Sequence, residues 1–383
     1  HPLQNELSTL RQAHFSALDT VGEVMIMQEL KQARTTYILN RGNYDEPMEE
    51  VAPRTPASML TFDPSFPANR LGLAKWMLHP DNPLTSRVIV NRLWQQFFGN
   101  GLVGTPHDLG LQGSLPTHPE LLDWLAATLM KEYWDIQYIQ KKIVLSATYR
   151  QSSKVSPVLL EKDPENLLFA RAPTYRLPAE MIRDNALASS GLLHTKVGGP
   201  SVKPVQPAGL WQEKTSSTHI LRKYEPDEGQ AQHRRSLYTF VRRTSPHPAM
   251  TAFDAPNRSV CTAKRQYTNT PMQALVLLND PQFVEASRVL AQAALDFDED
   301  LIRQISWVFR KLTGLEINKN QLETLLELFS EEESRFKDSP LAAQAYSTIG
   351  SFPQKKEQDP LELASMTLVV NTIMNFDDFY MKR

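Results

Sequence analysis

Apolar positions along this chain follow two different periods. Between residues 21 and 41, "EVMIMQEL" and "TTYILN" are rich in β-branched and long apolar side chains and flank a charged turn. That pattern predicts two short strands. A Pro-rich stretch, "EPMEEVAPRTPASMLTFDPSFPANR", follows and predicts fixed turns. From Asn69 onward the spacing becomes helical. "NRLGLAKWML" places Leu71, Ala74 and Leu78 on one face, and "LTSRVIVNRLWQQFFG" gathers Val88, Leu93, Trp94, Phe97 and Phe98 before Gly99, a residue suited to a left-handed stop. Thr117 and Glu120 have capping-box spacing ahead of "LLDWLAATLM". Asp135 is placed to cap "IQYIQKKIVLSATYR", and "LPAEMIRDNALASSG" predicts a helix ending at Gly191.

Between Leu192 and Tyr267 the pattern is irregular. "RRSLYTFVRR" is a short apolar run with basic ends, read as a strand with a helix as the alternative. Beyond it, "LIRQISWVFRKLTG", "NQLETLLELFSEEESRF", "LAAQAYSTIG" and "LELASMTLVVNTIMNF" suit amphipathic helices with short links. The acidic run "SEEESRF" reads as a solvated helix face. The fold expected is mainly α: an irregular multi-helix domain with a short N-terminal β-hairpin and a C-terminal helical bundle. Residues 1–60 read as strands and a Pro-rich linker closing a preceding domain, 61–292 as a helical core with an irregular Arg-rich insert, and 293–383 as the bundle packed on that core.

One local device recurs, a polar residue directly followed by proline: Asp163-Pro164, Thr270-Pro271, Asp280-Pro281, Ser339-Pro340 and Asp359-Pro360. Such a residue can accept a hydrogen bond from an orphaned amide, and proline at the first helical position gives up no intrahelical bond. Thr270 with Gln273 has the spacing of a capping box, Asp280 starts a helix with Phe283, Val284 and Leu290 inward, and Asn279 reads as a helix end. Asn269 has no such explanation.

Composition bounds the picture. The 383 residues are 41% hydrophobic and 22% charged with net charge −2, as in an ordinary globular protein, so no global field argues for nucleic acid or membrane. No stretch has the length of a membrane span. The chain begins at His1 and shows no signal peptide, which predicts a fragment or a processed product. The single cysteine, Cys261, excludes an internal disulfide framework, a Cys-based metal cluster and a C-x-x-C-H haem attachment within the chain.

Charge is unevenly distributed. Between Gly229 and Pro271, Arg234, Arg235, Arg242, Arg243, Arg258, Lys264 and Arg265 face Asp254 alone. Arginine forks bind carboxylate, sulfate or phosphate through two parallel bonds. Two readings follow: the arginines pair with acids such as Asp184 or Asp123 and knit the core, or they form an anion or acidic-sugar site.

Other candidate chemistry is weaker. No histidine has H-E-x-x-H or H-x-H spacing; His107 and Asp108 in "GTPHDLGLQG", with His118, could reach one metal, but a turn held by an Asp side chain is favoured. "GGPS" could form a backbone nest for an anion and is favoured as a turn. Basic neighbours would depress the Cys261 thiol, yet no histidine is tied to it, so a buried, inert thiol is expected. Arg183-Asp184 reads as an ion pair at a buried helix edge. Trp94, Trp124 and Trp134 are expected in the core, and Trp211, in the "PAGLWQ" loop, as a candidate for ligand stacking. No pair of carboxylates is singled out by spacing.

The blocks "RGNYDEP", "NRLGLAKWMLHPDNPLTSRVIVNRLWQQFFGNGLV", "RLPAEMIRDNALASSGLL", "GGPSVKPVQPAGLW", "RRSLYTFVRRTSPHPAMTAFDAPNRSVC" and "TNTPMQALVLLNDPQFVEA" closely resemble one family. It is the C-terminal domain of unknown function of planctomycete-type cytochrome c proteins, also present in Bacteroidetes. The resemblance runs from about Arg41 to the C-terminus. "MEEV" stands where a Gly is usual and "FVRR" where a Trp is common. The resemblance implies longer proteins with a signal sequence, often a c-type cytochrome domain and a further upstream domain, encoded near sulfatases. It therefore implies a periplasmic, cell-surface or extracellular location and a link to polysaccharide use. Haem c is implied only upstream, no cofactor or metal is expected in this chain, and the family supplies no catalytic residues.

The function expected is a module that binds or scaffolds an anionic ligand, an acidic or sulfated glycan, or an upstream domain of the same polypeptide, with no nucleic acid and no membrane span. The alternative is an enzyme, hydrolytic or redox-linked, acting on polysaccharide-derived substrates; a purely structural spacer is a third reading. The ligand-binding candidates are Arg183, Asp184, Trp211, Arg235, Arg243, His247, Asp254, Arg258, Arg265 and Asn269.

Overall fold

The computed structural model describes residues 2–19, 24–32, 34–214, 223–354 and 358–382. These residues are mainly α-helical, with two small antiparallel sheets of two strands each. The chain divides into two compact units, His1–Ser86 and Arg87–Arg383.

In the first unit, Thr36–Leu39 pairs antiparallel with Pro47–Val51, Thr36 opposite Val51 and Leu39 opposite Pro47. The strand over "TTYILN" thus forms, but its partner lies after it. A turn at Asn40–Gly42 reverses the chain, with Arg41 and Gly42 at φ 50° and 79°, and Asn40 Nδ2 donates to Glu46 Oε2 at 2.7 Å. The strand expected over "EVMIMQEL" does not form: residues 24–30 have no regular structure, and Val24, Met25, Ile26 and Met27 are exposed. Residues 21–23 and 33 of that expectation lie outside the described residues. A helix not expected from the sequence covers Pro2–Asp19.

The Arg70–Met77 helix buries Gly72 and Trp76, not the predicted face, and Leu71 and Leu78 are exposed. The cause is a close approach. Trp76 Nε1 donates to the Leu60 carbonyl at 2.8 Å, and the Pro67 carbonyl lies where a Cβ on residue 72 would stand. A larger apolar residue cannot turn toward that neighbour at position 72.

The second unit holds two sizeable clusters. One joins Val90, Trp94 and Phe98 of the Thr85–Phe98 helix to Leu122, Leu125 and Leu129 of Pro119–Lys131 and to Ile139 and Ile143 of Ile136–Leu145. Gly99, at φ 76°, ends the first of these helices as expected. Trp124 stands on the outer face, 53% exposed, contrary to its expected place in the core. The larger cluster centres on the Pro281–Phe297 helix, against which Ala179–Ser190, Leu301–Thr313 and Pro360–Ile373 pack, while Lys319–Asp338 packs on Pro360–Ile373 and Leu301–Thr313. The C-terminal helices form over the predicted segments.

The Pro281–Phe297 helix carries a buried polar stripe beside its apolar one. Gln282, Glu285, Arg288 and Gln292, each under 9% exposed, recur at intervals of three or four residues. Three of them hold the backbone of distant segments. Gln282 Nε2 donates to Val205 O, Glu285 accepts from the amides of Ser351 and Phe352, and Arg288 donates to Ile349 O and Phe352 O. Loops without regular structure are fixed in this way, because buried backbone groups must find partners.

The cap expectations divide. Asp135, Asp280 and Asp359 accept from helix amides, and Asn279 ends its helix. Thr270 and Ser339 stand at the cap position without a side-chain cap bond, and Asp163 instead accepts from Leu167 and Leu168 amides in a turn. Neither predicted capping box forms: Gln273 donates to Ala252 O and Thr268 O, and Thr117 pairs with Leu102 O. The box that does form is Asn318 with Gln321. "RRSLYTFVRR" is not a strand. It contains a 3-10 turn at Ser236–Tyr238 and touches the 194–202 segment through two isolated bridges, His194 to Arg234 and Val202 to Thr239.

Candidate functional site

The Ala179–Ser190 helix supplies the first three side chains of the region. Arg183 is 3% exposed. Its Nε donates to Gln282 Oε1 at 2.6 Å, Nη1 to Arg234 O at 2.9 Å and Ser236 Oγ at 3.2 Å, and Nη2 to Gln232 O at 2.5 Å. Burial lowers its pKa to about 10, so it stays charged at neutral pH. Asp184 lies 3.9 Å from that guanidinium and accepts from the Ser236 amide at 2.7 Å. The pair expected at this helix edge is present, but each partner's main work is to hold the backbone of the 232–236 turn.

Glu180, one turn earlier, faces a loop. Arg265 grips it with two bonds, Nη1 to Oε2 at 2.6 Å and Nη2 to Oε1 at 3.0 Å. Arg258 Nη2 stands 3.8 Å from Oε1, outside hydrogen-bond range. Burial raises the Glu180 pKa, but the bonds and charge of Arg265 prevail and the net shift is down; its bond to Glu180 raises Arg265. The ends of this loop are tied by Asp254, at φ 60°. It accepts from Arg176 Nη2 at 2.6 Å, the Thr268 amide at 2.8 Å and Thr268 Oγ1 at 2.9 Å. Arg176 lies between the rings of Phe253 and Tyr267, 5.4 Å from each, and burial lowers its pKa.

The remaining cations divide into engaged and projecting ones. Arg234, 5% exposed, donates to the carbonyls of Pro200, Lys196 and Gly198 and lies 3.8 Å over the Tyr238 ring. "GGPS" is therefore a turn whose neighbourhood offers carbonyls to a cation. Arg242 lies 4.9 Å over Trp211. Trp211 is 1% exposed and meets Tyr224 edge-on at 5.0 Å, in an aromatic cluster of the interior. Arg235, Arg243 and Lys264 are exposed, with no ion-pair partner among the described residues. Asn269 is exposed beside the Asp254 knot.

Two hollows flank the loop. A wide surface groove is lined by His107 and by residues 261–268. Cys261 opens onto it and is exposed, not buried as expected, because its loop runs over the outside of the unit. A smaller recess of about 90 Å³ lies between the 239–241 segment, the Pro248–Ala252 helix and residues 255–258. Glu180, Arg258 and His247 are among its lining residues. His247 is 7% exposed. Its Nε2 lies 3.0 Å from Val205 O, and since a carbonyl only accepts, that nitrogen carries the proton and Nδ1 the lone pair. Burial lowers the His247 pKa to about 4, so the ring is neutral at pH 7.

Thus His247 and Arg258 come together, Arg265 reaches the same rim through Glu180, and Asp254 is engaged elsewhere. The residues weighed as metal ligands, His107, Asp108 and His118, do not form a metal-holding group: Asp108 Oδ1 accepts from Gly110 N at 2.7 Å, and His118 contacts Thr117 and Phe169. Among the described residues no three His, Cys, Asp or Glu side chains cluster to hold a metal, and no helix is long and apolar enough to cross a membrane.

The family model of PSD1, a protein of unknown function (DUF1553), matches residues 69–329, more than half of the chain. The chain belongs to this family. The PSD1 match spans every candidate residue, the Asp254 knot and both hollows. No curated protein and no solved structure matches the chain. Within the PSD1 region the sequence reading did not single out Glu180 and Arg176, the two partners that organise the loop. The signal for Glu180 was present: an acid in the first turn of a helix, three residues before an arginine that faces the interior.

Proposed function

We propose that this PSD1 domain is a binding or scaffolding module that engages an anionic ligand, an acidic or sulfated glycan or an acidic face of another domain of its polypeptide. The observation that carries this reading is the disposition of the central cations. Arg235, Arg243 and Lys264 project from the segment without an acid partner among the described residues, and Arg258 shares Glu180 only at 3.8 Å. Internal pairing accounts for Arg183, Arg234 and Arg265 and leaves this exposed set over. A periplasmic, cell-surface or extracellular setting, an upstream cytochrome domain with haem c and a role in polysaccharide use belong to the same proposal and rest on the sequence resemblance. Binding is preferred to hydrolysis because Asp254, the acid that a catalytic reading places among the arginines, already accepts from Arg176 and Thr268.

Equilibrium binding to polygalacturonate and to dextran sulfate, with neutral dextran as control, tests the reading at low and high ionic strength. Salt-sensitive binding to an acidic polymer, weakened in the combined variant Arg235→Ala, Arg243→Ala, Lys264→Ala, is the expected result. Absence of binding to both acidic polymers at low salt overturns it.

A further inference from the structure

The small recess has a chemistry narrower than the basic surface around it. Its floor is apolar, formed by Phe240, Pro246, Met250, Ala255 and Pro256. At its rim stands Arg258, whose side chain is 52% exposed. Arg265 takes both oxygens of Glu180 at hydrogen-bonding distance, so Arg258 is held near that acid by charge and keeps its fork of donors for another partner. Two polar atoms of residues lining the recess, His247 Nδ1 and Thr239 Oγ1, are buried with no hydrogen-bond partner among the described residues. Native interiors seldom leave such atoms unmet, and a hydroxyl group brought in from outside is one way to meet them. Nδ1 can only accept, because Val205 O fixes the ring proton on Nε2.

We propose that this recess binds the acidic end of a hydroxyl-bearing carboxylate, a terminal uronic acid being the class that fits, with Arg258 as its charge partner. This deepens the anion-binding reading and rests on it. The carboxylate meets the Arg258 fork, the ring carbons cover the apolar floor, and a hydroxyl donates toward His247 as the wall adjusts around it. A volume of about 90 Å³ admits one end of a sugar ring and not a chain, so the site reads a terminus.

The test uses the whole chain and three small probes observed by ligand NMR: D-galacturonate, the neutral D-galactose, and benzoate, an acid without hydroxyls. Galacturonate is expected to bind saturably, with galactose and benzoate each weaker. Arg258→Ala is expected to weaken galacturonate on the order of tenfold or more, the loss of a charge-assisted pair. Met250→Trp, which fills the recess, is expected to abolish binding; its fold is checked by thermal denaturation, and Arg258→Ala, on an exposed residue, serves where Met250→Trp is unstable. Galacturonate that fails to bind, or binds equally to wild type and to both folded variants, overturns the recess. Retention of polygalacturonate in that case leaves the surface reading standing, whereas loss of both removes the two together. Benzoate equal to galacturonate overturns the role given to the hydroxyl.

Discussion

Glu285 faces His233 at 3.0 Å, with neither side chain more than 8% exposed. The other Glu285 oxygen accepts from the amides of Ser351 and Phe352 at 2.6 and 2.7 Å. One carboxylate thus joins the 3-10 turn at Gly229–His233 to the loop that follows Pro340–Ser347. Burial pushes the Glu285 pKa up, but the His233 bond and the two amides prevail and hold it below its ordinary 4.5. Its contribution to stability is therefore complete above about pH 4.5 and is lost as pH falls through the folded value. Glu285→Ala leaves a buried imidazole and two amides unmatched and is expected to cost about 3–5 kcal/mol in urea denaturation at pH 7. Glu285→Gln should lose less and remove the dependence below pH 4.5. A wild-type cost under about 1 kcal/mol for the alanine change contradicts this role.

Arg183 is expected to be a structural arginine first. Its guanidinium donates to one side-chain amide, two carbonyls and a hydroxyl, and no ammonium reproduces that fork. Arg183→Lys should cost about 3 kcal/mol, since hydrogen bonds to charged groups contribute about 1.5–3 kcal/mol each and several are lost. Hydrogen exchange gives the more specific readout: amides of residues 232–238 should lose protection before those of the Leu301–Thr313 helix. Equal loss in both places points to global weakening and not to release of the turn.

What the sequence made legible was periodicity and what it concealed was partnership. Helices with a continuous apolar face, such as Leu301–Thr313 and Pro360–Ile373, were readable because their pattern is local. The strand partner of Thr36–Leu39 was misplaced because residues 24–30 look more strand-like than Pro47–Val51, and pairing was decided by the turn at Arg41 and Gly42. The arginine surplus was visible as a count, but its division was not. Arg234 is consumed by carbonyls 34 to 38 residues away and Arg265 by an acid 85 residues away, and neither distance leaves a mark on the local pattern. Thr270 and Gln273 fit a capping box by spacing, but Gln273 lies close to Ala252 and Thr268 and binds there instead.

Gly72 is expected to tolerate no side chain. A Cβ there would lie 1.9 Å from the Pro67 carbonyl oxygen and 3.0 Å from the Phe62 ring. The obstacle is backbone, so relief requires the 62–67 turn or the helix to move, and overpacking of this kind costs about 1–3 kcal/mol. Gly72→Ala should shift the emission of Trp76, whose Nε1–H bond to Leu60 spans the same contact. An unchanged spectrum and an unchanged denaturation midpoint would show that the turn yields freely.

His247 carries the sharpest pH signature. Its folded pKa of about 4 lies below the ordinary 6.5, chiefly because burial disfavours the imidazolium. The unfolded chain therefore binds the proton first on acidification, and stability falls as pH drops from 6.5 toward 4. The full difference is about 3 kcal/mol at 1.36 kcal/mol per pKa unit. His247→Gln, which keeps a donor for Val205 O, should remove this slope between pH 6.5 and 4.5, a window above the range in which Glu285 acts. Urea midpoints measured across that window decide the matter: wild type and variant should differ in slope, and parallel curves would mean that His247 titrates as freely in the folded protein as in the unfolded chain. A ligand in the adjoining recess that donates to Nδ1 should depress the folded value further, so the fall in stability should continue below pH 4 in its presence instead of levelling off there.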